Sequence, residues 1–137
     1  MFVDTAVLMY GAGKPHPLRH PSQLLLERIA DGELEAVTSA EVVQEILHRF
    51  LPGPRRVDGV ALARATLDLF APVLPMTHEI SSAACRLAAA YPNLSSRDLA
   101  HAATCSVHEI DVIVSPDVGF DTVEGLERVD PTEADAL

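Results

Sequence analysis

The spacing between short apolar runs constrains this chain more than any other feature. Met1–Val3, Leu34–Val37 with Thr38, VLPM from Val73 and the β-branched VIVS from Val112 each read as a short strand. Long stretches with apolar residues at helical intervals separate them. Strands joined through helices pair in parallel, with right-handed crossovers and helices on both faces. The expected fold is therefore α/β, a three-layer α/β/α sandwich with a mostly parallel central sheet of four to five short strands.

The intervening stretches carry their own start and stop signals. Pro21 and Ser22 lead into QLLLERIADG, which Gly32 stops. Ser39 is placed to cap a helix through AEVVQEILHRF, broken by Pro52, Gly53 and Pro54. VDGVALARATLDLF sets Val60, Leu62, Leu67 and Phe70 at helical intervals. Thr77 opens a helix through EISSAACRLAAAY, and Ser95 or Ser96 caps the segment RDLAHAATCSVHE. Near the start, Ala6–Tyr10 continues the apolar character of the first strand until Gly11 and Gly13 interrupt it. At the other end, Leu126–Val129 reads as a short edge strand. Residues 1–130 are thus expected to form one domain, and 131–137 a short polar C-terminal tail that frays.

Composition narrows the class. A chain of 137 residues, 48% of them hydrophobic, can bury a core of its own without crosslinks. The start MFVDTAVLMYG has neither a basic leader region nor an apolar run approaching the roughly 18 residues of a membrane span, so a cytoplasmic protein with no membrane partner is expected. Cys85 and Cys105 sit in Ala-rich helical patterns without a CxxC or a His partner, the setting of buried reduced thiols. The formal net charge of −10 opposes polyanion binding. Carboxylates that hold divalent cations are neutralised by them, so that count overstates the negative potential at such a site.

Acids stand where that matters. Ligands of parallel sheets bind beyond the carboxyl ends of the strands. Asp4 and Asp117 each follow a predicted apolar strand, which puts both on one edge of the sheet. Glu45 lies among Val42, Val43, Ile46 and Leu47, and Asp98 among Leu99, Ala100, Ala102 and Ala103, so either carboxylate can point from a buried face. Ionised carboxylates sharing a poorly solvated pocket need raised pKa values or a cation. Oxygen-only ligands favour hard ions such as Mg²⁺ and Mn²⁺.

VDT after the first strand, SAEVVQEIL, SSRDLAHAA and IVSPDVGFD together resemble the PIN domain family, in an order similar to that of VapC-like toxins of toxin–antitoxin pairs. The resemblance spans Met1 to about Val129. It implies a metal-dependent endoribonuclease in which Asp4, Glu45, Asp98 and Asp117 are the catalytic and metal-binding acids, with Asp121 a further candidate ligand and Glu41 a weaker alternative to Glu45. Thr5 and Ser115 would hydrogen-bond those carboxylates. The resemblance further implies an RNA substrate, a cognate antitoxin protein as partner and a homodimer.

Each residue also has a plain structural reading. Asp4 can cap the helix that follows, Asp98 can serve the dipole of its helix, Asp117 can hold a turn, and Glu45 can pair with Arg49 on a solvated face. His101, one turn beyond Asp98, reads as a packing residue, since hard ions need no imidazole. Lys14, Arg19, Arg28, Arg49, Arg55, Arg56 and Arg97 are candidates for phosphate contacts, in a chain with few aromatics to stack bases. Two other functions compete: a phosphatase with Asp4 as nucleophile, although Ala6 stands where a second aspartate would be needed, and a non-catalytic PIN-like protein-interaction module.

Overall fold

The computed structural model describes residues 1–137. Strand β1 (Phe2–Val3) leads into α1 (Thr5–Ala12), followed by α2 (Arg19–Ala30), α3 (Ala40–Phe50), α4 (Arg56–Leu69), α5 (His78–Ala90) and α6 (Ser96–Val107). Strands β2 (Val112–Val114) and β3 (Glu127–Val129) close the sheet, with one 3₁₀ turn between them and another over Pro131–Ala136.

The sheet is parallel, in the order β1-β2-β3, with Val3 opposite Val114 and Val114 opposite Val129. Adjacent residues of a strand face opposite sides. Phe2 and Val3, like Ile113 and Val114, are fully buried, so both faces of the sheet are covered, as the expected three-layer arrangement requires.

The strand count differs from expectation: three strands form in place of four to five. The predicted second and third strands survive only as single bridges, Phe2 with Val37 and Ser39 with Leu74. Each segment touches its neighbour for one residue and then departs, because the chain turns at Ser39 directly into α3. Nor is the apolar stretch after Asp4 an extension of β1. It is α1, and Gly11 lies inside that helix, where an added Cβ would stand 3.1 Å from Leu26 and 3.7 Å from Ser22. Gly11 lets α1 and α2 pack closely instead of breaking the chain. Gly59 does the same for α3 and α4, since a Cβ there would overlap Phe50.

The tail folds back against the domain as a 3₁₀ turn instead of extending from it. Pro131 and Ala134 are buried, and the Arg28 guanidinium donates to the Ala134 and Leu137 carbonyls at 2.9 and 3.0 Å. Cys105 is buried as expected, which pushes its thiol up to about 12, whereas Cys85 is exposed. No helix is long and apolar enough to cross a membrane.

Candidate active site

The pairing of β1 with β2 builds the first half of the site. Because Val3 and Val114 are in register, Asp4 and Ser115 emerge side by side at the carboxyl end of the sheet, and the Asp4 N–H donates to the Val114 carbonyl at 3.1 Å. The Asp4 side chain is held at both oxygens: Oδ1 accepts from the Thr5 N–H at 2.7 Å, and Oδ2 accepts from the Ser115 hydroxyl at 2.6 Å. Asp4 is therefore the N-cap of α1 and a member of the acidic cluster at once. Ser115 Oγ also accepts from the Asp117 N–H at 3.0 Å, which ties the two strand-end loops together.

Helices α3 and α6 bring the remaining acids. Ser39 caps α3, whose Val42 and Ile46 enter the core, and Glu45 rides the flank of that face. Its Oε2 accepts from the Thr5 hydroxyl at 2.6 Å, and its Oε1 lies 3.7 Å from Arg97 Nη1. The i+4 pairing of Glu45 with Arg49 does not form; Thr5, Arg97 and His101 occupy the carboxylate instead. Ser95 caps α6 and places the half-buried Asp98 in its first turn.

His101 is the residue that sequence reasoning left out. One turn beyond Asp98 and fully buried, its Nε2 stands 3.6 Å from Asp4 Oδ1, 3.5 Å from Glu45 Oε2 and 3.5 Å from the Thr5 hydroxyl. The ring also lies 5.4 Å from Phe2, so it packs as well. Its spacing from Asp98 was the available signal, since residues three apart share a helix face.

The electrostatics follow from this crowding. Burial raises the Asp4 carboxyl and outweighs the opposing His101 charge and Ser115 hydrogen bond. Burial also raises Asp98, helped by the negative charges of Asp117 and Glu45. Glu45 is partly desolvated too, yet bonding from His101 and Thr5 and the His101 and Arg97 charges draw it below the usual value. Desolvation of His101 is overcome by Glu45, Asp4 and Asp98, which raise it and favour the imidazolium. The imidazole and the carboxylates around it thus favour each other's charged forms.

Not every predicted residue joins. Asp117 is exposed and accepts from the Gly119 N–H at 2.8 Å, the turn role foreseen for it, while its charge reaches Asp98. Asp121 is paired with Arg128 at 2.7 Å, and Arg128 donates to the Ser115 carbonyl at 3.0 Å, so Asp121 braces the β3 side of the loop. Glu41 lies in the first turn of α3, a turn before Glu45.

The donor set is oxygen-rich and its charge is incompletely balanced, which suits a hard divalent cation. As folded here, no three His, Cys, Asp or Glu side chains converge closely enough to hold a metal ion together. Mg²⁺ binds through one or two carboxylates and keeps several waters, so its needs are compatible with Asp4 as a fixed carboxylate and few further protein ligands.

Among known families, the PIN domain matches residues 1–126. Ribonuclease VapC13 of Mycobacterium tuberculosis is 35% identical over 129 residues, 94% of this chain and 98% of that protein. Ribonuclease VapC7 of the same organism is 33% identical over 133 residues, 96% and 92% of the two chains. Among solved structures, the sarcin–ricin loop cleaving toxin VapC20 of M. tuberculosis superposes with a TM-score of 0.73 at 17% identity, covering 88% of this chain and 92% of that one. VapBC2 from Rickettsia felis, bound to a promoter DNA fragment, gives 0.72 at 12% identity over 94% and 96%.

Proposed function

The chain belongs to the PIN domain family, and we propose that it is the ribonuclease toxin of a toxin–antitoxin pair, cutting RNA phosphodiester bonds at the cluster of Asp4, Glu45, Asp98 and Asp117. The observation that supports this reading is the meeting of Asp4 and Glu45 within 3.6 Å of the His101 ring, beside the carboxyl edge of the sheet, with Asp4 held at both oxygens.

When bound there, Mg²⁺ or Mn²⁺ would supply charge neutralisation at the scissile phosphate and an acidified water. Asp4, Asp98 and Asp117 would hold it. Ser115 and the Thr5 N–H fix the direction of the Asp4 lone pairs, which suits a ligand more than a nucleophile and weighs against phosphatase chemistry. Thr5 orients Glu45, whose carboxyl is drawn below the usual value and would bind the metal or orient an attacking water. His101 limits the repulsion among these groups. The partners that follow are RNA as substrate and a cognate antitoxin protein whose basic side chains complement the acidic pocket; self-association as a homodimer belongs to the same proposal.

The test is incubation of the purified protein with structured RNAs in Mn²⁺ or Mg²⁺, alongside EDTA and Asp4→Asn controls. Cleavage that needs both the metal and Asp4 is expected. Cleavage that survives EDTA or Asp4→Asn would sink the assignment.

A further inference from the structure

Beside the acidic cluster lies a pocket of different chemistry. Helices α1 and α3 leave the cluster together: Thr5 touches Glu45, and about one turn further along both helices Met9, Tyr10, Arg49 and Phe50 line a common cavity of about 370 Å³. Four residues of helix rise separate Arg49 from Glu45, about 6 Å. The cavity is within the range of small-ligand sites, about 300–1,000 Å³.

Its lining departs from the rest of the molecule. In a chain of net charge −10, Lys14, Arg49 and Arg55 all face it. Arg55 is tied to Asp58 at 3.0 Å and lies over the Phe50 ring at 5.6 Å, so it shapes the wall. Lys14 and Arg49 take part in none of the protein's ion pairs. The chain has two tyrosines, four phenylalanines and no tryptophan, and one of each of the first two is here. Tyr10 stacks on His16 with ring centroids 4.4 Å apart, and the Leu18 N–H donates to His16 Nδ1 at 3.1 Å, which fixes the exposed imidazole against the pocket.

Free cations beside a fixed aromatic stack are the parts of a single-strand nucleic-acid site. We propose that this pocket binds a nucleotide of single-stranded RNA next to the cleaved linkage, with Lys14 and Arg49 on backbone phosphates and the Tyr10–His16 stack against its base. The inference rests on the ribonuclease reading above and adds to it where the strand leaves the acidic cluster. It also reconciles a strongly acidic protein with a polyanionic ligand, because the positive potential is local.

The experiment measures binding apart from cleavage, using fluorescence anisotropy of a labelled single-stranded oligouridylate in Ca²⁺ buffer across a salt series. Lys14→Glu with Arg49→Glu is expected to weaken binding and to make the log K against log [salt] slope shallower by about 1.4, from two lost contacts at about 0.7 each. His16→Ala is expected to weaken it about 5- to 140-fold, the range of one base stack. If charge reversal unfolds the chain, Lys14→Ala with Arg49→Ala carries the same test, since both side chains are exposed. Unchanged affinity and slope in folded variants would overturn the inference, as would intact RNA binding with lost inhibition by a protein partner. An unaltered chain that cleaves RNA but does not bind the oligouridylate would overturn the inference alone; a chain that cleaves no RNA with Mn²⁺ would overturn the ribonuclease reading.

Discussion

The two sides of the acidic cluster are built differently. On one side Asp4, Glu45 and His101 are wholly or largely buried, and short hydrogen bonds from Ser115 and Thr5 fix both carboxylates. On the other, Asp98 is half-buried and Asp117 exposed; the Asp98 N–H donates to the capping Ser95 hydroxyl, and the Asp117 carboxylate accepts from the Gly119 N–H of its own turn. Folding alone therefore sets the first side, because strand register and two hydroxyls dictate where its oxygens point. The second side has no comparable buried hydroxyl holding its carboxylates. A buried, hydrogen-bonded anchor facing a solvent-exposed wall leaves the site open on one side to substrate.

Replacing the anchor should have the largest effect. Asp4→Asn is expected to lower cleavage by about a thousandfold, on the scale of losing a key electrostatic group. The same change should leave the melting temperature in EDTA at neutral pH unchanged or higher. The sign follows from linkage: a carboxyl raised above its unfolded value of 3.8 favours the folded state when protonated, and that contribution is lost as pH rises through the raised value. A fall in melting temperature would mean that Asp4 is chiefly structural.

Loss of Asp98 comes next. Mn²⁺ should raise the melting temperature of the unaltered chain in a concentration-dependent way, and Asp98→Asn with Asp117→Asn should remove most of that rise while the metal-free melting temperature at neutral pH stays put or rises, because the Asp98 carboxyl is also raised by burial. An undiminished rise would show that the outer wall takes no part in holding the ion. Ser115→Ala should cut kcat by roughly 10- to 100-fold with KM little changed, as expected for a group that aims a ligand. Equal rates would break the distinction between a set anchor and a free wall. Smallest of all, Asp121→Asn should leave cleavage within about twofold and cost under about 1 kcal/mol of stability, since its pair with Arg128 is exposed on the acid side.

Much of this architecture was legible in the sequence, and the failures have identifiable physical origins. The caps Ser39, Thr77 and Ser95 each accept from a backbone N–H of the helix they precede, as their residue types imply. Strand-end logic placed Asp4 beside the Ser115–Asp117 loop because that geometry belongs to any parallel pair. Glu45 and Asp98 were reached through family resemblance, as helix faces can only be oriented once the packing partners are known. The predicted strands at 34–38 and 73–76 failed because apolar runs report burial, whereas strand length depends on where a neighbouring backbone stays alongside. His101 and the tail were missed for a related reason: Arg28 finds the Ala134 carbonyl across 106 positions of sequence, and no local pattern encodes that contact.

Anomalous diffraction from a crystal grown with Mn²⁺ tests the central claim most directly. The account predicts a Mn²⁺ peak in direct coordination distance of an Asp4 oxygen, with Asp98 or Asp117 turned toward it and the Ser115–Asp4 bond intact. A saturated crystal with no peak at Asp4, or with the ion held only by residues outside Asp4, Glu45, Asp98 and Asp117, would contradict it.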